Sequence, residues 1–502
     1  MADPAPVCVA KPTDAQDLEK PHTSSGPSGK STPSHHAGSD WATNARNPLN
    51  WSSARRWTII VVLAITNFVA AMTTAYEPGL DQILRDFHAQ GKDSLGALSI
   101  SIYTLGYCIG PLIVAPVSEI YGRIWLLRVA YFVFPLTLVG CGASRSIGAF
   151  IAFRAIMGFA GIVFLLLGAA IVPDIMPKER RGISMGAMLT GAGLSLGPIM
   201  GGYIVERTTW RWIFWACAIT FALLAAVGCY ILTETYSPVL QKRAEQRGSD
   251  SETGAQAPSA TPQDNLPVSS PFKRLIAILK GPWVRPAQIL IQSPIVLLFA
   301  IYTTVTQGYL LLVFATLGLV YQAHYHFSPG ASGLAYLGLA VGLTISQFTL
   351  GHLSDKYIAR MARLHGAHKP EHRLPPLLIG ALIIPVSLLA YGWGTHTHWI
   401  VPILASALFA IGYMCTYLPV MMYLIDTYPQ YSASAVAACT VLRSICSAIL
   451  PLAADPLYRR LGYDWGNSLL ALIALVFFPC TVILAKYGER IRLRFEPNLE
   501  GI

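Results

Sequence analysis

Glu119, Gly122 and Arg123 stand in the stretch GPLIVAPVSEIYGRIWLLR, residues 110–128, between two long apolar runs. An acid, a tight-turn glycine and a base at such a boundary can form a charge latch between helix ends, or a solvated turn. Polar groups left unpaired in hydrocarbon are costly, so these must find partners or water. A partial echo comes later. Gly351-His-Leu-Ser-Asp355-Lys356 also follows an apolar run, and its Gly-to-Asp spacing equals that from Ala115 to Glu119. Loop chemistry repeated about half a chain later points to duplication.

Two more cations, Arg154 and Arg443, fall inside apolar runs. A central arginine in a membrane span normally faces the bundle interior and has a function. Snorkelling to the interface is the other option for Arg154. Its charge could keep a proton-carrying acid ionised until cargo arrives. Candidate acids are Glu77, near the outer end of the first run, and Asp426, near the inner end of the tenth. Asp174, at the inner end of the fourth, suits an interfacial cap. No acid lies at the centre of a run, so the proton carrier stays unassigned. A pair between Arg443 and Asp426 is expected, because a short loop joins their runs. It can be structural or serve transport.

Gly191, Gly193, Gly197, Gly201 and Gly202 lie about one helical turn apart around Pro198. Small residues permit close helix approach, and the proline removes one helix hydrogen bond and allows a bend. A tight, bendable interface between two halves of the protein is one expectation, and plain helix packing is the other.

The elements that must position these residues are membrane spans. The chain has 502 residues, 53% apolar and 12% charged, against roughly 25% charged in soluble domains. Its mean hydropathy is +0.49. A span needs about 20 mostly apolar residues. Twelve runs qualify, near 57–77, 97–117, 124–143, 149–171, 183–205, 211–232, 293–316, 330–350, 374–394, 399–421, 432–454 and 466–486. The expected fold is all-α: a cytoplasmic disordered tail at 1–56, a six-helix bundle at 57–232, a cytoplasmic linker at 233–285, a second bundle at 286–487 and a cytoplasmic tail at 488–502. The start of the linker and two later pieces can form short interfacial helices. No signal peptide is read at the N-terminus.

The formal charge is +10. Most Lys and Arg fall in the tails, the linker and the even-numbered loops, as membrane orientation with both termini inside requires. Nucleic-acid binding is therefore not expected. The nine cysteines show no CxxC spacing, and His365, His368 and His372 fit no standard ligand set, so no metal or cofactor is expected. No HExxH, no P-loop and no GxSxG in a strand–turn–helix context is found, which argues against an enzyme.

Taken in order, several motifs resemble the major facilitator superfamily, and within it the fungal twelve-span drug:H+ antiporter group. They are Asn47-Pro-Leu-Asn-Trp51, Gly110-Pro111 through Glu119 to Arg123, Arg154-Ala-Ile-Met-Gly158, Gly191 to Gly202, Trp210 to Trp215, Glu234 to Leu240, and Ser432-Ala-Ser-Ala435 with Arg443-Ser444. The resemblance covers about 48–495. It implies two six-helix bundles with inverted repeats, alternating access, and a proton gradient rather than a bound cofactor. It also implies a latch at Gly110, Pro111, Glu119, Gly122, Arg123, Asp355 and Lys356. The second latch has Ile358 where a glycine is expected, which puts its gating in doubt. Spans one, four, seven and ten would line the cavity, with Asn67, Thr73, Tyr302, Gln307, Tyr309, Tyr413, Tyr417 and Tyr423 as candidates. Aromatic walls suit bulky amphipathic ligands.

The implied function is proton-driven export of small amphipathic compounds, such as drugs, toxins or a fungal secondary metabolite. The alternatives are a nutrient importer of the same fold and a membrane sensor. A monomer in the plasma membrane is expected, the vacuolar membrane being the second possibility. An epitope inserted within 241–265 should be found on the same side of the membrane as the N-terminus. Labelling of that epitope from the opposite side would overturn the orientation.

Overall fold

The computed structural model describes residues 41, 43–89, 93–188, 191–252, 287–365, 369–429 and 431–495. The expected tail up to residue 40, most of the linker, His368 and the last seven residues lie outside the described residues. Among those described, eleven helices are long and apolar enough to cross a membrane. They are span one (Ser53–Tyr76), two (Ser101–Tyr121), three (Arg123–Ala143), four (Ile147–Ile175), five (Lys178–Arg207), six (Arg211–Ile231), seven (Pro294–Gln322), eight (Gly330–Met361), nine (Pro370–Gly394), ten (Ile400–Thr427) and twelve (Leu457–Leu484). The run expected near 432–454 appears as a shorter apolar helix, Ser432–Ser447, numbered here as span eleven. Helix continues from Ser432 to Val476, turning at Gly462, whose φ of 71° is left-handed and suits glycine.

Order begins ahead of the boundary expected at residue 56. Asn47 caps a short turn at Pro48–Asn50, and Ser52 caps span one by accepting from the Arg55 amide. The C-terminal tail is likewise shorter than expected, because helix continues through Phe478–Arg494. Lys369 donates to Glu489 at 2.7 Å, and Arg492 to Glu371 at 2.8 Å. The linker opens with a helix, Ser237–Glu252.

Burial sorts the spans. Within each apolar window, 78% of residues are buried in span four, 67% in seven and 61% in ten, against 28% in six and 33% in twelve. Spans four, seven and ten are therefore central. Peripheral spans turn large apolar side chains outward, as Trp125, Phe132 and Leu136 do along span three. A helix face left apolar and exposed suits a hydrocarbon solvent.

Span two packs on span eleven, and span five on span eight. These two seams join the first six spans to the second six. The span-five glycines do not form the seam between halves expected of them. They pack mainly on span one, within the first half. A Cβ on Gly193 would lie 2.5 Å from the Phe68 carbonyl oxygen, and one on Gly197 2.8 Å from Thr74 Oγ1. Gly202 is buried beside them, and Gly191 begins this part of the helix. Elsewhere on span five the second half comes close: the Pro198–Ile199 backbone lies 3.4 Å from where a Gly333 side chain would start, and a Cβ on Gly186 would lie 2.5 Å from the Gln347 carbonyl oxygen. Pro198 has no N–H to offer the Leu194 carbonyl, and Thr74 Oγ1 donates to that oxygen at 3.3 Å instead.

A Cβ on Gly201 would fall 1.7 Å from the Ala75 carbonyl oxygen, while one on Gly148 would meet nothing within 4 Å. Gly201→Val is therefore expected to lower the melting temperature of the detergent-solubilised protein or abolish its folding, overpacking costing about 1–3 kcal/mol or more. Gly148→Ala should melt like the parent. Equal melting of all three proteins would refute this packing.

Candidate functional site

The residues with chemistry gather in two places. The first is the end of the bundle where spans two, four, eight and ten finish and spans three, five, nine and eleven begin. Glu119, half-buried near the end of span two, accepts from the Ser434 amide at 3.2 Å and the Ser434 hydroxyl at 2.8 Å. It thus caps the N-terminus of span eleven, in the other half. Asp355, at the end of span eight, does the reciprocal thing. It accepts from the amides of Gly182 at 2.8 Å and Ile183 at 2.9 Å, in the first turn of span five. A carboxylate at a helix N-terminus meets unsatisfied amides and the positive end of the macrodipole. Ile358, where a glycine was expected, does not prevent the second contact. The close approach comes instead from Gly182 and Gly351, since a Cβ on either would lie 2.6 Å from the other's carbonyl oxygen.

A buried ion network ties the same end together. Asp426 lies between Arg181, at 2.9 Å, and Arg373, at 3.1 Å. Arg373 also reaches Asp355 at 3.2 Å and the Lys178 carbonyl at 3.1 Å. Arg181 and Lys178 belong to the first half, Asp426, Asp355 and Arg373 to the second. Two expectations change here. Asp426 is not the partner of Arg443, because two nearer arginines occupy it. Lys356 is exposed and makes no ion pair among the described residues, and Arg373 supplies the base.

Arg123 works inside the first half, not across the seam. Its Nε donates to Asp174 at 2.5 Å, so Asp174 is an ion-pair partner and not a lone cap. Glu234 accepts from the amides of Arg123 at 3.1 Å and Ile124 at 3.3 Å. Gly122 has φ 97°, and a Cβ there would lie 2.4 Å from Glu234 Oε2. Backbone and space both demand glycine. Arg123 also lies over the Tyr236 ring at 4.9 Å. Burial pushes the Tyr236 hydroxyl up to about 12, against the pull of the Arg123 charge. Gly110 and Pro111 stand apart from this end. They sit mid-span, Gly110 close against Ile162 of span four.

The second place is the centre. Arg154, 2% exposed, lies over the rings of Tyr76 at 4.3 Å and Tyr103 at 4.6 Å. Its Nε reaches the Ser99 carbonyl at 3.4 Å. No carboxylate pairs with it among the described residues. The backbone of Glu77 follows Tyr76 in a 3-10 turn, and its side chain lies outside the described residues. Arg443, 8% exposed, lies over Tyr417 at 4.8 Å. Tyr417 stacks on Tyr413 at 5.6 Å and 11°, and the Tyr413 hydroxyl donates to Gln307. Tyr107 is hydrogen-bonded to Tyr103 at 3.1 Å and close enough to Arg154 and Arg443 to feel both charges.

The other cavity candidates make the following contacts. Asn67 donates to the Leu63 and Phe164 carbonyls, Thr73 to the Ala70 carbonyl. Tyr302 packs on Phe477 and Tyr423 on Phe299. The buried Tyr309 hydroxyl has no partner. Sequence reasoning missed Arg181, Arg373, Tyr103 and Tyr107, and named Ser434 only within the Ser432–Ala435 motif. The four-residue spacing of the two tyrosines, one helical turn, was the available signal.

Two sets of six spans, joined at two seams and clasped at one end, define a helical membrane transporter. Residues 29–451 match the Major Facilitator Superfamily profile. The chain belongs to that superfamily. It is 38% identical to the MFS-type transporter penM of Penicillium rubens, over 90% of this chain and 89% of the relative. It is 38% identical to the MFS transporter cpaT of Aspergillus oryzae, over 93% and 94%. It is 35% identical to the efflux pump radE of Floropilus chiversii, over 92% and 86%. In fold it is similar to the proton:xylose symporter XylE, with a TM-score of 0.61 at 16% identity, covering 89% of this chain and 100% of the other.

Asp426→Asn would leave Arg181 without a carboxylate among the described residues and Arg373 with Asp355 alone. Breaking such a buried pair costs roughly 3–5 kcal/mol. The expected outcome is faster thiol labelling of a cysteine introduced by Ser184→Cys, at a fully buried position of span five. Lys356→Ala should leave labelling unchanged. Slow labelling in the Asp426 variant would show that the network does not hold this end shut.

Proposed function

We propose that this protein exports small amphipathic organic compounds by alternating access, with protons moving inward as cargo moves out. The observation that carries the reading is the reciprocal clasp. Glu119 of the first half caps span eleven of the second, and Asp355 of the second caps span five of the first. Each contact is electrostatic and solvable by water, so the two halves can part at this end without unfolding either. A helix N-terminus favours a carboxylate by about 0.3–1 kcal/mol when exposed and up to about 2 kcal/mol when partly buried. Two such contacts are enough to bias a two-state equilibrium.

In this reading the clasped end faces the cytoplasm, the bundles are 57–232 and 286–487, and the protein acts as a monomer in the plasma membrane. Export, not import, is supported by the span-five Gly–Pro element and by the relative named as an efflux pump. Asp426 is committed to the clasp, which leaves Glu77, the residue after Tyr76 in the chain, as the acid proposed for proton exchange. Arg154 sets that acid's affinity for protons.

The test uses the purified full chain in liposomes, a panel of amphipathic dyes of differing charge, and an imposed pH step. The expected result is dye movement accelerated by the step, with that acceleration reduced by on the order of tenfold in Arg154→Ala and Glu77→Gln. Glu119→Gln should slow turnover with and without the step. Dye movement indifferent to the step in the parent protein would overturn proton antiport.

A further inference from the structure

We propose that the centre of the molecule is an anion subsite, and that the cargo is an aromatic organic acid bound as its carboxylate. This deepens the export reading and rests on it.

Among the described residues five arginines are buried: Arg123, Arg154, Arg181, Arg373 and Arg443. Three of them meet carboxylates, namely Asp174, Asp426 and the Asp355–Asp426 pair. The two at the centre meet none among the described residues. Arg154 Nη1 is buried with no hydrogen-bond partner at all, and its Nε contact is long at 3.4 Å. Among the described residues these two are the buried arginines answered by tyrosines and not by a carboxylate. A guanidinium offers two parallel N–H donors to a planar carboxylate, and the exchange of water for that pairing is most favourable where water is scarce.

The surroundings say what the rest of the ligand is. Each central arginine lies against one ring of a tyrosine pair spaced one helical turn apart. In the first half these are Arg154 with Tyr103 and Tyr107. In the second they are Arg443 with Tyr413 and Tyr417. The parallel Tyr413–Tyr417 stack presents flat apolar surface beside a charge, which suits a conjugated ring bearing an acid. Tyr107 is hydrogen-bonded at 3.1 Å to Tyr103, the ring that Arg154 lies over, so a ligand on this tyrosine pair would meet the Arg154 charge. A ligand that binds the two halves together differently in the two states shifts the equilibrium between them. A cationic ligand would be repelled by both arginines. A carboxylic acid is ionised in a neutral cytoplasm, its unperturbed pKa being about 4.

The probes are 2-naphthoate, 2-naphthamide and 2-naphthylmethylammonium, which share a ring system and differ in charge. Binding is read from quenching of tryptophan fluorescence in the purified full chain, and transport in liposomes with a pH step. Wild-type protein is expected to bind naphthoate about tenfold or more tighter than the amide. Arg443→Gln should bring acid and amide to within about twofold of each other, while Arg443→Lys keeps part of the preference. Equal binding of acid and amide by the wild type, or tighter binding of the ammonium probe, overturns the subsite without any variant. If all three probes cross equally and remain proton-driven, export stands and the anion subsite falls. If an Arg443-dependent preference for naphthoate persists with no proton-driven movement, the subsite stands and the export reading falls.

Discussion

Ionised side chains inside a helical membrane bundle must be answered by opposite charge, by a helix terminus or by an aromatic face, because hydrocarbon and packed protein give them no water. Most of the site described here follows from how this chain meets that constraint. At the clasped end the answers are mutual: Asp426 satisfies Arg181 and Arg373, while Glu119 and Asp355 satisfy helix N-termini of the opposite half. At the centre the answer is aromatic, with Arg154 over Tyr76 and Tyr103 and Arg443 over Tyr417. Among the described residues, one end is thus closed by carboxylates and the centre by aromatic rings.

The clasp depends on how closely backbones can meet. Asp355 reaches the Gly182 and Ile183 amides because Gly182 and Gly351 carry no side chains between the helices. Glu234 reaches the first amides of span three because Gly122 turns with a positive φ and leaves room for the carboxylate. Electrostatics and sterics are one device here. A charged group caps a helix end only if the chain lets it approach, and glycine lets it approach.

Close backbone approach is found both within a half and between the halves, where Gly182 meets Gly351. Span five rests on span one through Gly193, Gly197 and Gly201, with atoms too close to admit any side chain. Interlocked backbones of that kind resist sliding. The seams between halves add polar contacts, which water can replace. A rigid half and a separable seam are what rocking of two bodies requires.

Hydropathy is a local property, so the amino-acid sequence by itself determined the spans. Eleven of the expected runs appear as full crossings and the twelfth as the shorter Ser432–Ser447 helix. It also determined that Arg154 and Arg443 lie within spans and that Glu119, Gly122 and Arg123 stand at one helix boundary, with Asp355 near the end of a later span. Partner choice is not local. Asp426 stood nearer in sequence to Arg443, yet it is held by Arg373 and by Arg181 from the other half. Lys356 was adjacent to Asp355 and yet exposed, because the helix turned it outward while Arg373 came in from the next span. The span-five glycines were legible as a close-packing face, but not as one turned toward span one. Tertiary structure alone decided these pairings, because they are set by the angle and register at which helices distant in the chain come together.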